Sequence, residues 1–455
     1  MSAVVETGLE AVPRRQALAT GAPTRIVAWE RGVAITREVF ERHVRAVAAA
    51  LPPAAYAVNL CEDRYRFIVV LAAAAARGQV TLLPPSRAPA VVDAVLAEHP
   101  DAVCIGDGDL LPAPPAFWRL PDTLGERDGA PLEIDADAAL LIGFTSGSTG
   151  RPTANRKTLA SFVTSTAQNV AAMAGLLADD ATTPVVATVP PQHMYGIETS
   201  VMLPLLADVA VHAARPFFPQ DVARAVADCP RPALLVSTPV HLRALVQARD
   251  DDRTFAMPPL AGIVSATAPL PRELAQSAEV AFGCEVREMF GSTETCIVAR
   301  RRTAIDEAWT LLPGVRLSPQ PDGTLVDAPH LAVPVTLADI VELLPDGRFR
   351  LCGRNADLLE IAGKRASLGD LTRKLLAVPG VVDGVVVQLD AEANGVRRIA
   401  ALAVAPTLSP EAILQALRTQ MDPVFLPRRL RCVASLPRNE TGKLPRDQVL
   451  ALLQG

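Results

Sequence analysis

Four short, almost wholly apolar runs constrain the fold most: Ala138–Phe144, Pro184–Val189, Ala233–Val236 and Gly262–Val264. A segment that offers water no polar face reads as a strand buried on both sides, and such strands belong to sheets covered by helices. Helix start signals separate the runs. Ser237-Thr238-Pro239 places hydroxyls before a proline whose missing N–H is harmless at a first helical position. Pro271 and Glu273 open another helix ahead of Leu274, Ala278 and Ala281. Strand–helix alternation of this kind predicts an α/β architecture. Half of the 455 residues are hydrophobic and 20% are charged, enough for a packed interior and too apolar for global disorder. The ten-residue run Phe67–Ala76, between Arg66 and Arg77, is too short to span a bilayer and reads as a buried helix.

The pattern changes after about residue 318. Pro321-Asp322-Gly323 and Pro345-Asp346-Gly347 are hairpin turns between short alternating strands. Beyond Arg354 the pattern is compact α+β. Val381–Leu389 and Arg398–Val404 flank an Asn394-Gly395 turn, and Ser409-Pro410-Glu411 starts a helix. The expected organisation is a large α/β core with a β-rich segment over 1–353, and a small α+β domain over 354–455. The formal net charge of −5 argues against nucleic acid as a partner. Seven cysteines with no C-x2–4-C pair read as free thiols, not a zinc knuckle. With no signal peptide over Met1–Arg15, a cytoplasmic location is expected.

Four local patterns carry chemistry. The run ending at Phe144 enters Thr145-Ser146-Gly147-Ser148-Thr149-Gly150-Arg151-Pro152, a loop with four hydroxyls and two glycines. Glycine permits close backbone approach, and the N–H and O–H groups suit phosphate oxygens. No Walker A register fits, and no G-x-S-x-G elbow is formed. Phe290-Gly291-Ser292-Thr293-Glu294-Thr295 puts a carboxylate among hydroxyls at a strand end, a setting for Mg2+, which takes few ligands from protein and the rest from phosphate and water. Asp339 and Arg354 flank the Asp346-Gly347 hairpin, where the acid can accept both hydroxyls of a ribose. Leu436–Arg446 carries Lys443 after a glycine turn.

Taken together and in this order, these motifs resemble the adenylate-forming enzymes: acyl-CoA synthetases, nonribosomal-peptide adenylation domains and luciferase-like proteins. The resemblance runs from about residue 138 to the C-terminus. It implies that Thr145, Ser146, Gly147, Ser148, Thr149 and Gly150 wrap the β- and γ-phosphates of ATP. It implies that Ala266, Thr267, Ala268 and Pro269 line the adenine pocket, with Phe290 and Gly291 near the base and the substrate. Ser292 and Thr293 belong to the nucleotide set, Thr293 at the α-phosphate. The resemblance further implies that Glu294 binds Mg2+, that Asp339 and Arg354 hold the ribose, and that Lys443 bridges carboxylate and α-phosphate. His193, in Pro191-Gln192-His193-Met194-Tyr195-Gly196, borders an acyl pocket that also draws on Val236 and Ser237.

The implied reaction is activation of a carboxylic acid as its acyl-AMP, then transfer to a thiol. That thiol belongs to coenzyme A or to the phosphopantetheine of a separate acyl carrier protein, since no carrier domain is expected after Gly455. An aryl or medium acyl acid is compatible, and a 4-hydroxybenzoate-like acid of the kind used for aryl polyenes is one candidate. An amino acid fits less well, because Ser237, Thr238 and Pro239 stand where an aspartate would hold its ammonium. The sequence departs from the family pattern at Thr153 (usually lysine), Ala356 with Asp357 next (the hinge), and Glu360 (usually lysine), although Gly363 and Arg365 remain. Arg151, Arg156 and Lys157 are candidates to compensate at Thr153. These departures leave a second reading open: a catalytically impaired nucleotide-binding scaffold.

Overall fold

The computed structural model describes residues 15–454 except 31, 147–151, 253, 322, 355–357, 362–363, 390–397 and 440–443. It is a mixed α/β structure in two compact units. The first comprises Met1–Ile305, Leu312–Gly314 and Pro329–Ala332; the second comprises Asp306–Leu311, Val315–Ala328 and Val333–Gly455.

Two sheets build the first unit. In one, strands Pro152–Thr158, Ala139–Ser146, Val80–Leu83, Tyr56–Asn59, Ala102–Gly106 and Phe117–Arg119 lie side by side in that order. To the other, the first unit contributes eight strands in the order Cys296–Arg301, Val286–Ser292, Leu260–Ser265, Ala233–Ser237, Thr183–Ala187, Val209–His212, Ile26–Glu30 and Val33–Thr36. Its six middle strands are parallel, and only the flanking hairpin partners run antiparallel. All four apolar runs are strands of these sheets. Helices Pro219–Ala227, Pro239–Asp251 and Arg272–Phe282 cover the second sheet through a core that includes Val226, Leu235, Leu242, Ile263 and Val286.

The chain order in that sheet reverses at strand Thr183–Ala187, which has the next strand on one side and Ala233–Ser237 on the other. Side chains can reach a ligand where two such connections part, beyond the carboxyl ends of the strands. Here those ends carry Thr188 and Ser237, whose hydroxyls lie 3.1 Å apart. Helix Arg64–Ala76 includes the predicted buried helix, and its interior positions are buried. Arg64 at its start is fully buried and donates to the carbonyls of Ala187 and Val189 at 2.8 and 2.7 Å, and to the Ser200 hydroxyl. Burial, reinforced by the nearby Arg215 charge, lowers its pKa to about 9. It fastens the strand end that leads to His193.

In the second unit, strands Asp339–Leu343 and Phe349–Arg354 form the predicted hairpin, with Asp339 directly opposite Arg354. Strands Asp383–Gln388, Ile399–Val404 and Arg429–Cys432 form a small sheet with a core on each face. The strict alternation of Ile399–Val404 divides it between them, with Ile399, Ala401 and Ala403 on one side and Ala400 and Leu402 on the other. Ser409 caps helix Pro410–Leu417 by accepting from the Ala412 N–H at 3.2 Å. All seven cysteines are unbridged. Among the described residues no helix is long and apolar enough to cross a membrane.

Arg64→Leu is expected to destabilise the first unit by roughly 3 kcal/mol, because it strands buried acceptors that a charged donor now serves. Urea unfolding followed by circular dichroism measures this, and a variant as stable as the parent would show that the carbonyls have another donor.

Candidate active site

Strand Ala139–Ser146 pairs in parallel with Val80–Leu83 and returns as the antiparallel strand Pro152–Thr158. The two strands pair up to the edges of the hydroxyl-rich segment, with Ser146 opposite Pro152 and Thr145 opposite Thr153. Gly147, Ser148, Thr149 and Gly150 lie outside the described residues, as does Lys443.

A second hairpin, Val286–Ser292 with Cys296–Arg301, carries Thr293, Glu294 and Thr295 at its tip. The first strand pair meets that tip: the Thr145 hydroxyl donates to a Glu294 carboxylate oxygen at 3.2 Å, across 149 residues of sequence. A hydroxyl and a carboxylate oxygen at one point are hard oxygen donors of the kind Mg2+ accepts. Thr293 lies against Gly143. A Cβ on Gly143 would lie 3.1 Å from its Cγ2 and 3.4 Å from the Met194 Cε, so glycine at 143 lets these side chains close in. Gly143, Phe144, Gln192, His193, Met194 and Thr293 line a narrow cleft there together with Leu83, Pro84 and Pro85. Gly291 is demanded by backbone, because a Cβ there would fall 2.1 Å from the Cys296 carbonyl oxygen.

Ala266, Thr267, Ala268 and Pro269 follow strand Leu260–Ser265, next to the strand that bears Phe290. Thr267 has φ of +77°, a left-handed conformation that a β-branched residue adopts only under tertiary constraint. Three residues on, the Leu270 N–H donates at 2.9 Å to Glu288, which is buried on the adjacent strand and pairs with Arg301 at 2.7 Å. Ser292 and Thr295 brace the second tip through their hydroxyls, 3.1 Å apart. Asp339 and Arg354 belong to the second unit, where the hairpin register brings them face to face.

The structure adds residues that sequence reasoning missed or weighed differently. Lys157 was a candidate for the loop; it is buried, and its Nζ donates to the Glu294 carbonyl oxygen at 2.6 Å. Glu198 is buried in the π-helix Glu198–Met202 and accepts from the Ile297 N–H at 3.2 and 3.0 Å and from the Asn169 side-chain amide at 3.1 Å. Burial pushes its carboxyl up to about 7, against the opposing pull of Asn169, Ile297 and the Lys157 charge. His330 presents Nε2 to the Thr295 carbonyl at 2.7 Å and Nδ1 to the Gln168 side-chain oxygen at 2.6 Å. A neutral imidazole has one N–H and serves one of them; burial lowers its pKa and disfavours the second proton. The available signal for Glu198 was one acid in the otherwise uncharged stretch Met194–Leu206.

Residues 16–334 match the family of AMP-binding enzymes. The chain is 32% identical over 198 residues to a 4-coumarate–CoA ligase of Rhodobacter capsulatus, spanning 43% of this chain and 47% of that one. It is 29% identical over 350 residues to a 4-coumarate–CoA ligase of Halorhodospira halophila, spanning 72% and 83%. In fold it is similar to the o-succinylbenzoate CoA synthetase of Bacillus subtilis, solved with its acyl-adenylate intermediate, at 16% identity and a TM-score of 0.81 over 96% and 98% of the two chains.

A carboxyl whose folded pKa is raised favours the fold most below its unfolded value of 4.5, and loses that contribution as pH climbs through about 7. Glu198→Gln escapes that loss. Its stability relative to the parent is expected to improve between pH 5 and pH 8 by up to roughly 3 kcal/mol. Denaturant melts at the two pH values test this; a difference independent of pH would contradict it.

Proposed function

The chain belongs to the AMP-binding enzyme family, and from that membership we propose that it activates a carboxylic acid as an acyl-adenylate and passes the acyl group to a thiol. The observation that carries this reading is the meeting of Thr145 with Glu294. It supports the reading because Thr145, at the start of the loop expected to bind phosphate, contacts the carboxylate expected to hold Mg2+. Bound at Glu294, Mg2+ would neutralise phosphate charge, and one protein carboxylate suits an ion that keeps most of its shell from phosphate and water.

A carboxylate attacks a phosphate poorly because both are negative. The protein must hold the two in line and supply positive charge. In this reading Thr145, Ser146, Gly147, Ser148, Thr149 and Gly150 orient the departing pyrophosphate, while Ala266–Pro269, Phe290 and Gly291 hold the base. Asp339 and Arg354, opposed in one hairpin, hold the ribose. His193 and Met194 border the acid at the sheet's reversal point. Residues 354–455 act as a lid that turns near Arg354 and delivers Lys443 to the α-phosphate.

We infer an aryl acid as substrate. The 4-coumarate ligases among the relatives support that class, as does a cleft bordered by Phe144, His193 and Met194. A 4-hydroxybenzoate-like acid and an aryl-polyene setting remain inside it. The acceptor is the thiol of coenzyme A or of a separate carrier protein, and the site of action is cytoplasmic. Thr153, Ala356 and Glu360 motivate the alternative reading, a scaffold that binds nucleotide without ligating.

Lys443→Ala is expected to lower adenylate formation at least about 100-fold without changing the melting temperature, because it removes a positive charge assigned in this reading to the transition state. Pyrophosphate release read on variant and parent decides it, and parental release by the variant would remove Lys443 from the mechanism. Hydroxylamine trapping over fatty, aryl and amino acids is expected to yield aryl hydroxamates. Nucleotide binding with no hydroxamate from any acid would favour the scaffold.

A further inference from the structure

We propose that Lys157 and Glu198 are positioning residues that set the orientation of the Glu294 carboxylate, and thereby the affinity for magnesium-bound nucleotide, without touching either ligand. This rests on the reading of Glu294 given above.

The tip Thr293–Thr295 lies between Ser292 and Cys296, the last paired residues of its hairpin, so the sheet ladder does not fix it. Buried polar groups do. The Lys157 ammonium holds the carbonyl of Glu294 itself, and both Glu198 oxygens hold the N–H of Ile297 three residues on. Between these two anchors Cys296 adopts a φ of +58°, a left-handed conformation that costs a residue with a side chain free energy and persists only where its surroundings enforce it. The anchors therefore bracket the bend that aims Glu294.

Neither charge has another evident reason to be there. Lys157 stands on a strand whose Thr153 and Ala154 are exposed, yet it is only 6% exposed; Glu198 is only 1% exposed. A buried charge is tolerated only where partners compensate its desolvation. The Lys157 charge acts on Glu198 and favours its ionised form, so each helps to hold the other. The π-helix that carries Glu198 has a wider turn than its α-helical neighbours, a local irregularity found mostly at functional sites. Neither side chain has the exposure to meet a ligand, so each acts through the backbone of the turn.

The test is calorimetric titration with Mg2+-ATP and with ATP in excess chelator, on the full chain. The double variant Lys157→Met/Glu198→Gln removes both charges together and leaves no unpaired buried ion. It is expected to melt near the parent and to bind Mg2+-ATP about 10–100-fold more weakly, with metal-free ATP binding unchanged. Glu198→Leu, which takes both oxygens from the Ile297 N–H, is expected to show the same selective weakening, while the conservative Glu198→Gln keeps one oxygen and restores it; a folded Glu198→Leu with parental Mg2+-ATP affinity overturns the role of Glu198. A folded double variant with parental Mg2+-ATP affinity overturns the proposal, and so does an equal loss for metal-free ATP, which would mark a general structural role. Lys157→Gln runs alongside in case the double variant does not fold; it is expected to show the same selective weakening, and parental affinity there is equally fatal. Glu294→Gln separates the two levels. If it weakens Mg2+-ATP binding and the Lys157 variants do not, the positioning proposal alone fails. If Glu294→Gln has no effect, the assignment of the metal to Glu294 fails first.

Discussion

A carboxyl in a dry interior persists only where donors meet it, and Glu198 meets the Ile297 N–H with both oxygens and the Asn169 amide with one. That clasp ties a helical segment following one strand of the parallel sheet to the hairpin at the sheet's edge. Lys157 ties the same hairpin to the other sheet. Glu294 thus stands where two sheets are joined by polar contacts in a buried setting. The arrangement costs desolvation, and the raised carboxyl pKa of Glu198 records that cost.

Much of this was legible from residue order. The apolar runs marked strands because burial on both faces leaves no polar alternation to obscure them. The Asp339–Arg354 opposition followed from a hairpin whose turn is written in Asp346-Gly347, with Gly347 at φ +82°. Where apolarity was the guide, it stopped early. The run ending at Phe144 continues as strand through Thr145 and Ser146, because those residues pair with Thr153 and Pro152. Ladder pairing does not depend on side-chain hydropathy. The Thr238 hydroxyl, expected as a cap, turns instead to the His241 side chain at 3.0 Å.

The polar groups beneath the site were not legible, for a different reason. Lys157, Glu198 and His330 read as ordinary polar residues until their partners are known. Those partners lie 137, 99 and 35 residues away for Glu294, Ile297 and Thr295, and 162 away for Gln168 with His330. No local pattern encodes a contact at that separation. Arg64 is similar: its acceptors at Ala187 and Val189 lie 123 and 125 residues on.

Those separations also govern the order in which the chain can acquire its parts. Helices and hairpins can form from neighbouring residues, while the pairing of Ile26–Glu30 with Val209–His212 and the meeting of Thr145 with Glu294, 149 residues apart, both require closure of long segments. Closing so long a loop loses entropy before any contact repays it, and topologies rich in such contacts fold slowly. A partly folded chain with both sheets in place but undocked would have native secondary structure and no Thr145–Glu294 contact. Ligand that binds only the docked form would then favour the last docking event by mass action, making nucleotide a stabiliser of assembly as well as a reactant.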